Sequence, residues 1–276
     1  MSNRIYEEIT QRIIEKLENG IVNEKFEMPF NLNSGIPRNR FTGKKYRGIN
    51  AILLESGEYA TFKQIKELGG KVRKNAKSEK IIFWKMIEVE DEETEEDIKI
   101  PLARIYNVFK IGRDTTGIKP MQKEVKYHEH ERIEKADKII KNYKDKPKIT
   151  HERGRAYYSP IEDIVNVPRT QEFKDINRYY STMFHELIHS TGAKNRLNRD
   201  SITKEIKFGS ESYSKEELIA ELGASMLCAT IGIENKTIDY SASYINSWIK
   251  ALKNDYTLII TASQNAQKAC DYILNK

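Results

Sequence analysis

Six residues, Phe184-His185-Glu186-Leu187-Ile188-His189, constrain this chain more than any other stretch of it. Residues 179–191 carry a helical pattern, and on a helix residues four apart share a face. His185 and His189 therefore offer ring nitrogens to a single metal ion. Glu186 sits one position on, angled away from the ligand face but within reach of a water at the metal. Two His at i and i+4 with a Glu between them are the zinc-hydrolase arrangement. A solvated surface helix is the competing assignment. Phe184, Leu187 and Ile188 make the helix half-apolar, which requires that it be packed.

A hydrolytic site of this kind takes three protein ligands and leaves the fourth position open. Residues 214–224 predict a second helix, in which Ala220, Gly223 and Ala224 are small enough to let another helix approach closely. Glu217 and Glu221 are four apart and share a face. Glu217 is the first candidate for the third ligand, with Glu221 accepting a hydrogen bond from a ligand His. Two alternatives stay open. Ser214-x-x-Glu217 is also a capping box, in which the Glu reaches back to the N-cap amide, and Glu221 is the second candidate ligand.

At 276 residues the chain is long enough for one large domain or two smaller ones, each with a real core. Charged residues make up 32% and hydrophobic residues 38%, the balance of a soluble protein with a heavily charged surface. No window is apolar for long enough to span a membrane, and the first residues contain no apolar signal region. Cys228 and Cys270 are far apart and sit among apolar residues, which predicts buried thiols and a reducing, cytoplasmic setting.

Read in order, residues 4–17 place Ile5, Ile9, Ile13, Ile14 and Leu17 at helical spacing, and Asn19-Gly20 predicts the stop. A loop rich in Pro, Asn and Gly covers residues 28–50. Short helices are expected at 50–54 and 61–68, and strands at 81–87 and 103–109. Between those strands eight of the ten residues 88–97 are acidic, a solvated hairpin loop. Residues 112–123 have the composition of a linker. A charged amphipathic helix follows at 129–143, then short strands at 148–150, 156–159 and 163–167, and two packed helices over 243–275.

The first half also carries a basic, aromatic stretch. Residues 38–85 hold thirteen Lys or Arg against four Glu, a local balance of +9 where the whole chain is +6. Phe41, Tyr46, Tyr59, Phe62, Phe83 and Trp84 are interleaved with them, and Tyr106 and Phe109 follow. Cations that track a phosphate backbone and rings on which unpaired bases stack are the ingredients of single-strand binding. The candidate contacts are Arg38, Arg40, Lys44, Lys45, Tyr46, Arg47, Lys63, Arg73 and Lys74. Some rings, Phe83 foremost, are expected in the core instead.

Both halves together resemble the ArdC antirestriction family. In the first half the resemblance rests on Pro37-x-Asn39-x-x-Thr42-Gly43-Lys44-x-Tyr46-Arg47-Gly48-Ile49-Asn50, Thr61-Phe62-Lys63-Gln64, Leu68-Gly69-Gly70-x-Val72-Arg73-Lys74, Phe83-Trp84 and Tyr106-x-Val108-Phe109. In the second it rests on Ala156-Tyr157-Tyr158-x-Pro160-x-x-Asp163, His185-Glu186-x-x-His189-x-Thr191-Gly192, Arg196-Leu197 and Tyr213-x-x-Glu216-Glu217-Leu218-x-Ala220-Glu221-Leu222. Three positions depart from the family pattern. Tyr59-Ala60 stands near where a Trp is usual, Asn75 where a Gly is usual, and Lys110 where an Asn is usual. The resemblance implies an N-terminal domain that binds single-stranded DNA, a C-terminal zincin-like metallopeptidase domain, and a mobile-element protein that shields incoming DNA from restriction.

These readings combine into two α+β domains, residues 1–118 and 124–276. The second would hold Zn²⁺, with Mn²⁺ as the alternative, on His185, His189 and Glu217, a gluzincin-like set. Glu186 would be the general base for hydrolysis of a peptide or protein substrate, and Tyr213 would either stabilise the oxyanion or serve as a packing residue. Two rivals stand beside this reading: a DNA-binding protein with a purely structural metal, and a DNA-targeted regulatory peptidase that cleaves a repressor.

Overall fold

A computed structural model describes residues 2–22, 35–90, 97–121, 129–204, 211–233 and 242–276. Parts of the expected 28–50 loop (28–34), the tip of the acidic hairpin (91–96) and the end of the expected linker (122–123) lie outside those residues. The first helix, α1 (Ser2–Val22), buries Ile9, Ile13, Ile14 and Leu17. It runs through Asn19-Gly20, where the sequence predicts a stop. One Gly costs only about 1 kcal/mol inside a helix, too little to end one whose preceding turns are packed.

A four-stranded sheet follows, ordered β1 (Arg38–Asn39), β2 (Glu58–Thr61), β5 (Asp97–Lys110), β4 (Glu79–Glu90). Between β1 and β2 lies α2 (Ile49–Leu53). After β2, Thr61 caps α3 (Phe62–Glu67) in a reciprocal capping box with Gln64. The β4–β5 hairpin is longer than its apolar pattern predicts. Glu90 is in register with Asp97, so the flanks of the acidic run are strand rather than loop. One face of the hairpin, with Ile82, Trp84 and Ala103, joins the largest apolar cluster. Buried Asn50 pins α2 to that hairpin, with Nδ2 donating to the Ile82 carbonyl (2.6 Å) and Oδ1 accepting from the Ile82 amide (2.8 Å). On the other face, Ile81 and Val108 pack with Tyr46, Leu54 and Tyr59. Part of the expected linker is also strand: β6 (Thr115–Thr116) pairs with β3 (Lys71–Val72).

The second half opens with α4 (Glu129–Asn142) and a small sheet ordered β7 (Lys148–Thr150), β9 (Ile164–Asn166), β8 (Tyr157–Ser159). Helix α5 (Ile176–Ser190) starts at an Asp175 cap and carries the His pair; the short α6 (Asp200–Thr203) follows. Next come α7 (Glu211–Ile231), α8 (Ala242–Asn254) and α9 (Leu258–Ile273). Helix α7 is sandwiched between α5 and α9. A Cβ placed on Gly223 of α7 would lie 2.6 Å from the Ile188 side chain of α5, so only Gly permits this approach. Cys228 and Cys270 are buried and free, as expected.

The architecture is α+β, as the pattern predicts. The two halves nevertheless share one apolar cluster, in which Ile13, Ile14 and Leu17 of α1 join Ile249 and Leu252 of α8. Thr10 Oγ1 donates to the Tyr256 carbonyl (2.7 Å) and the Gly48 amide to Gln267 Oε1 (3.1 Å). No helix among the described residues is long and apolar enough to cross a membrane.

The Gly223 contact generates a prediction. Gly223→Val drives a branched side chain into Ile188 and should cost about 1–3 kcal/mol of stability, as overpacking does. Urea denaturation read by circular dichroism measures it. Because the same contact sets the distance between α5 and α7, metal content should fall as well.

Candidate metal centre and nucleic-acid surface

The helical period of α5 points both imidazoles to one side, and α7 supplies the carboxylate that meets them. His185 Nε2 and His189 Nε2 are 3.1 Å apart. Glu217 Oε2 lies 3.4 Å from the first and Glu217 Oε1 3.5 Å from the second. A tetrahedral ion with ligands about 2.0–2.1 Å away holds its ligand atoms about 3.3 Å from one another. The three residues therefore fit a divalent metal without rearrangement. Among the described residues no fourth His, Cys, Asp or Glu joins this group. Ser214 lies inside α7, with Oγ 3.0 Å from Ser247 Oγ, so it is not the N-cap that the capping-box alternative requires.

Each His is gripped from behind. His185 Nδ1 lies 3.0 Å from Glu221 Oε1. His189 Nδ1 is 3.2 Å from Glu216 Oε1, a partner the sequence reading missed. Glu216 is itself clamped by Arg199, with Nε to Oε2 at 3.0 Å and Nη2 to Oε1 at 2.6 Å, and by the Ser201 hydroxyl. Arg199 also donates to Thr191 Oγ1 (2.7 Å) and to the Ile188 carbonyl (2.9 Å) at the end of α5. The available signal was the run Glu216-Glu217, since two adjacent acids on a buried helix must both find partners.

Electrostatics follow from the crowding. Burial opposes charge on His185, but Glu217 and Glu221 more than offset it and raise its pKa well above the usual value. His189 moves the same way against the same burial, through Glu217 and Glu216. Burial would raise the Glu216 carboxyl, yet His189 and Arg199 hold it below the usual range, as a carboxylate. Burial also pushes Glu186 up, and the two His rings limit the rise. The Tyr158 backbone is hydrogen-bonded to Glu186. That places β8, an edge strand of its sheet, beside Glu186. Tyr213, half-buried, lies one turn before Glu217 on the same face of α7.

Arg196 braces this edge from below. It donates to the Ser190 carbonyl (2.7 Å), the Asp145 carbonyl (2.7 Å) and Tyr158 Oη (3.2 Å), and pairs with Asp163. Buried Asn166 holds the turn into β8, donating to the carbonyls of Glu152 (3.3 Å) and Arg155 (2.9 Å).

The expected nucleic-acid residues are only partly at the surface. Lys44, Lys45, Arg47, Lys63, Arg73 and Lys74 are exposed. Arg38 and Lys45 face each other across a β-bridge. Burial, Arg38 and Lys276 together lower the Lys45 pKa. Arg40 is drawn into an ion pair with nearly buried Glu58 at 3.2 Å, and Arg47 pairs with Asp271 of α9. Tyr46 is a correction: its ring is 5% exposed and anchors the basic loop in the core, so it has no face to offer a base. Phe83 is the converse correction. Expected in the core, it is 51% exposed, because β4 alternates and its inward positions are Ile82 and Trp84.

A metallopeptidase-type centre of the zincin-like class beside an α+β half that carries a basic stretch is thus what fold and site define. Comparison with known proteins agrees. Residues 134–265 match the zincin-like metallopeptidase family and residues 3–109 match the N-terminal domain of the anti-restriction factor ArdC. The crystal structure of metal-free antirestriction protein ArdC from plasmid R388 superposes with a TM-score of 0.80 at 34% identity, covering 98% of this chain and 96% of that one. Its Mn(II)-bound form gives 0.78 at 32% identity, covering 98% and 97%. The chain is 32% identical over 288 residues to protein y4eC of Sinorhizobium fredii, covering 98% of this chain and 91% of that protein. It is also 33% identical over 292 residues to an Escherichia coli protein named DNA primase TraC, of which it spans only 20%. This chain belongs to the ArdC antirestriction family.

Two departures from the family pattern have physical readings. Asn75, where a Gly is usual, has φ +64°, a left-handed conformation that Asn tolerates better than other side chains. Lys110, where an Asn is usual, pairs with Glu55 at 3.0 Å.

Metal content tests the centre. His185→Ala should abolish stoichiometric metal, and Glu217→Ala should weaken it strongly, both read by elemental analysis. Arg199→Ala should lower metal affinity by about 10–100-fold, through loss of the clamp on Glu216. The raised His pKa values set a pH dependence. Stability held by the protonated rings of the metal-free protein is full below the ordinary His pKa and is lost as pH rises through the raised one. Metal and proton compete, so affinity should climb with pH across that interval and then level off. Titration calorimetry in buffers of different ionisation enthalpy should show proton release on metal uptake.

Proposed function

We propose that this protein is an antirestriction factor of a mobile genetic element that binds single-stranded DNA and hydrolyses peptide bonds at a Zn²⁺ centre in the cytoplasm. The observation that carries the enzymatic part is the convergence of His185, His189 and Glu217 at tetrahedral spacing, with no fourth ligand among the described residues and Glu186 buried alongside. That arrangement favours a hydrolase over a purely structural metal, which closes its coordination with a fourth protein ligand. Mn²⁺ is the alternative ion, because the plasmid R388 relative was crystallised with it.

When bound, the metal polarises the substrate carbonyl and acidifies the attacking water. Glu186 takes the proton from that water and delivers it to the leaving amine, a role suited to a carboxylate whose pKa is raised by burial. The open edge of β8 receives the substrate as an added strand beside Glu186. Tyr213 stabilises the oxyanion from α7. In the other half, Arg38, Lys44, Lys45 and Arg47 follow the phosphate backbone, with Lys63, Arg73 and Lys74 extending the basic surface. We place the division between the two halves within residues 118–124, although their shared core argues for testing the full chain.

Glu186→Gln separates the two functions. Metal content and single-strand binding should survive, while peptide hydrolysis falls by about 10²–10⁴-fold for loss of a general base. Protection of DNA from restriction by this variant then decides the mechanism. Persistence means that shielding is a binding function. Loss with DNA binding intact means that proteolysis is part of it, as a DNA-targeted regulatory peptidase requires. Metal loss in the variant would show that Glu186 is a ligand.

Replacing Lys44, Lys45 and Arg47 together with Ala should lower both affinity for single strands and its salt dependence, measured by fluorescence anisotropy. Equal affinity of the unaltered protein for duplex DNA would rule out the single-strand reading.

A further inference from the structure

Opposite residues in an antiparallel pair project to the same face of the sheet. In the β4–β5 hairpin Ile81 is opposite Tyr106, Phe83 is opposite Arg104, and Lys85 is opposite Leu102. Ile81 is buried in one cluster with Tyr46, the anchor of the basic loop. The loop therefore covers one end of this face. Two residues further along β4 nothing among the described residues covers it: Phe83 is 51% exposed and Tyr106 42% exposed. Their rings meet edge to face, with centroids 5.8 Å apart. Arg104 and Lys85, both exposed, stand beside them. On the reverse face Ile82, Trp84 and Ala103 pack into the main core.

Two adjacent exposed rings on a rigid hairpin are unexpected in a surface this polar, and the core does not need them. Their setting selects a partner. A duplex hides its base faces, and an apolar protein partner does not call for flanking cations on the same strand pair. Unstacked bases with a phosphate backbone match both features: flat rings for the bases, and Arg104 and Lys85 for the phosphates.

We propose that Phe83 and Tyr106 form the base-stacking platform of the single-strand site, with Arg104 and Lys85 holding the backbone across the hairpin and the Tyr46-anchored loop continuing the path. This inference rests on the single-strand reading above and assigns to it stacking residues that the candidate contacts lack. Arg104 and Lys85 extend the site beyond the basic loop.

The test uses the full metal-loaded chain and a fluorescent oligothymidine, with a duplex of equal length and an oligouridine as comparison probes. Phe83→Leu and Tyr106→Leu keep an apolar side chain and remove the ring. Each should weaken oligothymidine binding by about ten-fold, within the range lost when a base-stacking aromatic is removed, and leave the salt slope unchanged. Arg104→Ala should weaken binding and lower the slope. Circular dichroism melting and metal content should match the unaltered protein, because both rings are substantially exposed.

Unaltered binding in the two Leu variants, with loss in the Lys44/Lys45/Arg47 variant, would overturn the platform while leaving single-strand binding intact. Failure of the unaltered protein to bind oligothymidine would instead overturn the underlying reading. Preference for oligouridine, or a change of oligomeric state in the Leu variants by light scattering without a change in DNA affinity, would assign the face to RNA or to a second copy and overturn the proposal.

Discussion

The metal centre depends on how closely α5 and α7 approach, and that distance is set where Ile188 rests on Gly223. Helical periodicity can align His185 with His189, but it cannot bring a third ligand. The Glu217 carboxylate comes within reach of both rings where α7 has no side chain at that one contact. Two turns earlier on α7, Glu217 then falls between the two imidazoles, and Glu221 reaches the back of His185. Helix α7 is held by α5 on one side and α9 on another, so the carboxylates are presented on a rigid element.

Crowding of charge is the second consequence of that packing. Glu186, Glu216, Glu217 and Glu221 are all buried around the two His. Unpaired buried carboxylates are costly, so each needs a compensating group. Arg199 compensates Glu216 and ties it to the end of α5, which fixes His189 as well. A divalent cation, or protons on the His rings, compensates the rest. The same burial that makes the site expensive to build raises the Glu186 pKa.

The N-terminal half places its chemistry at the surface by the opposite device. Tyr46 is buried, while Lys44 and Lys45 before it and Arg47 after it are exposed. The β4–β5 hairpin spends its inward positions on the common core and leaves its outward positions free of it. Arg47 and Gly48 then join this half to α9 through Asp271 and Gln267. The basic loop and the candidate metal centre are thus linked through the helix layer that supports α7.

The His pair, its Glu, the order of elements and the α+β character were legible in the residues, because periodicity and local spacing encode them directly. Glu217 was legible as one of two choices. Which of the two faces both imidazoles depends on the register of α7 against α5, which puts Glu217 there and Glu221 behind His185. Glu216 was invisible in its role, because its partners Arg199 and Ser201 come from a separate turn that only folding brings near. Tyr46 and Phe83 exchanged their expected places for a similar reason. Composition makes both of them aromatic residues in a basic stretch, but strand register and the path of the loop decide which ring meets the core and which meets water. Local chemistry is written along the chain; which groups face one another depends on contacts between residues far apart in it.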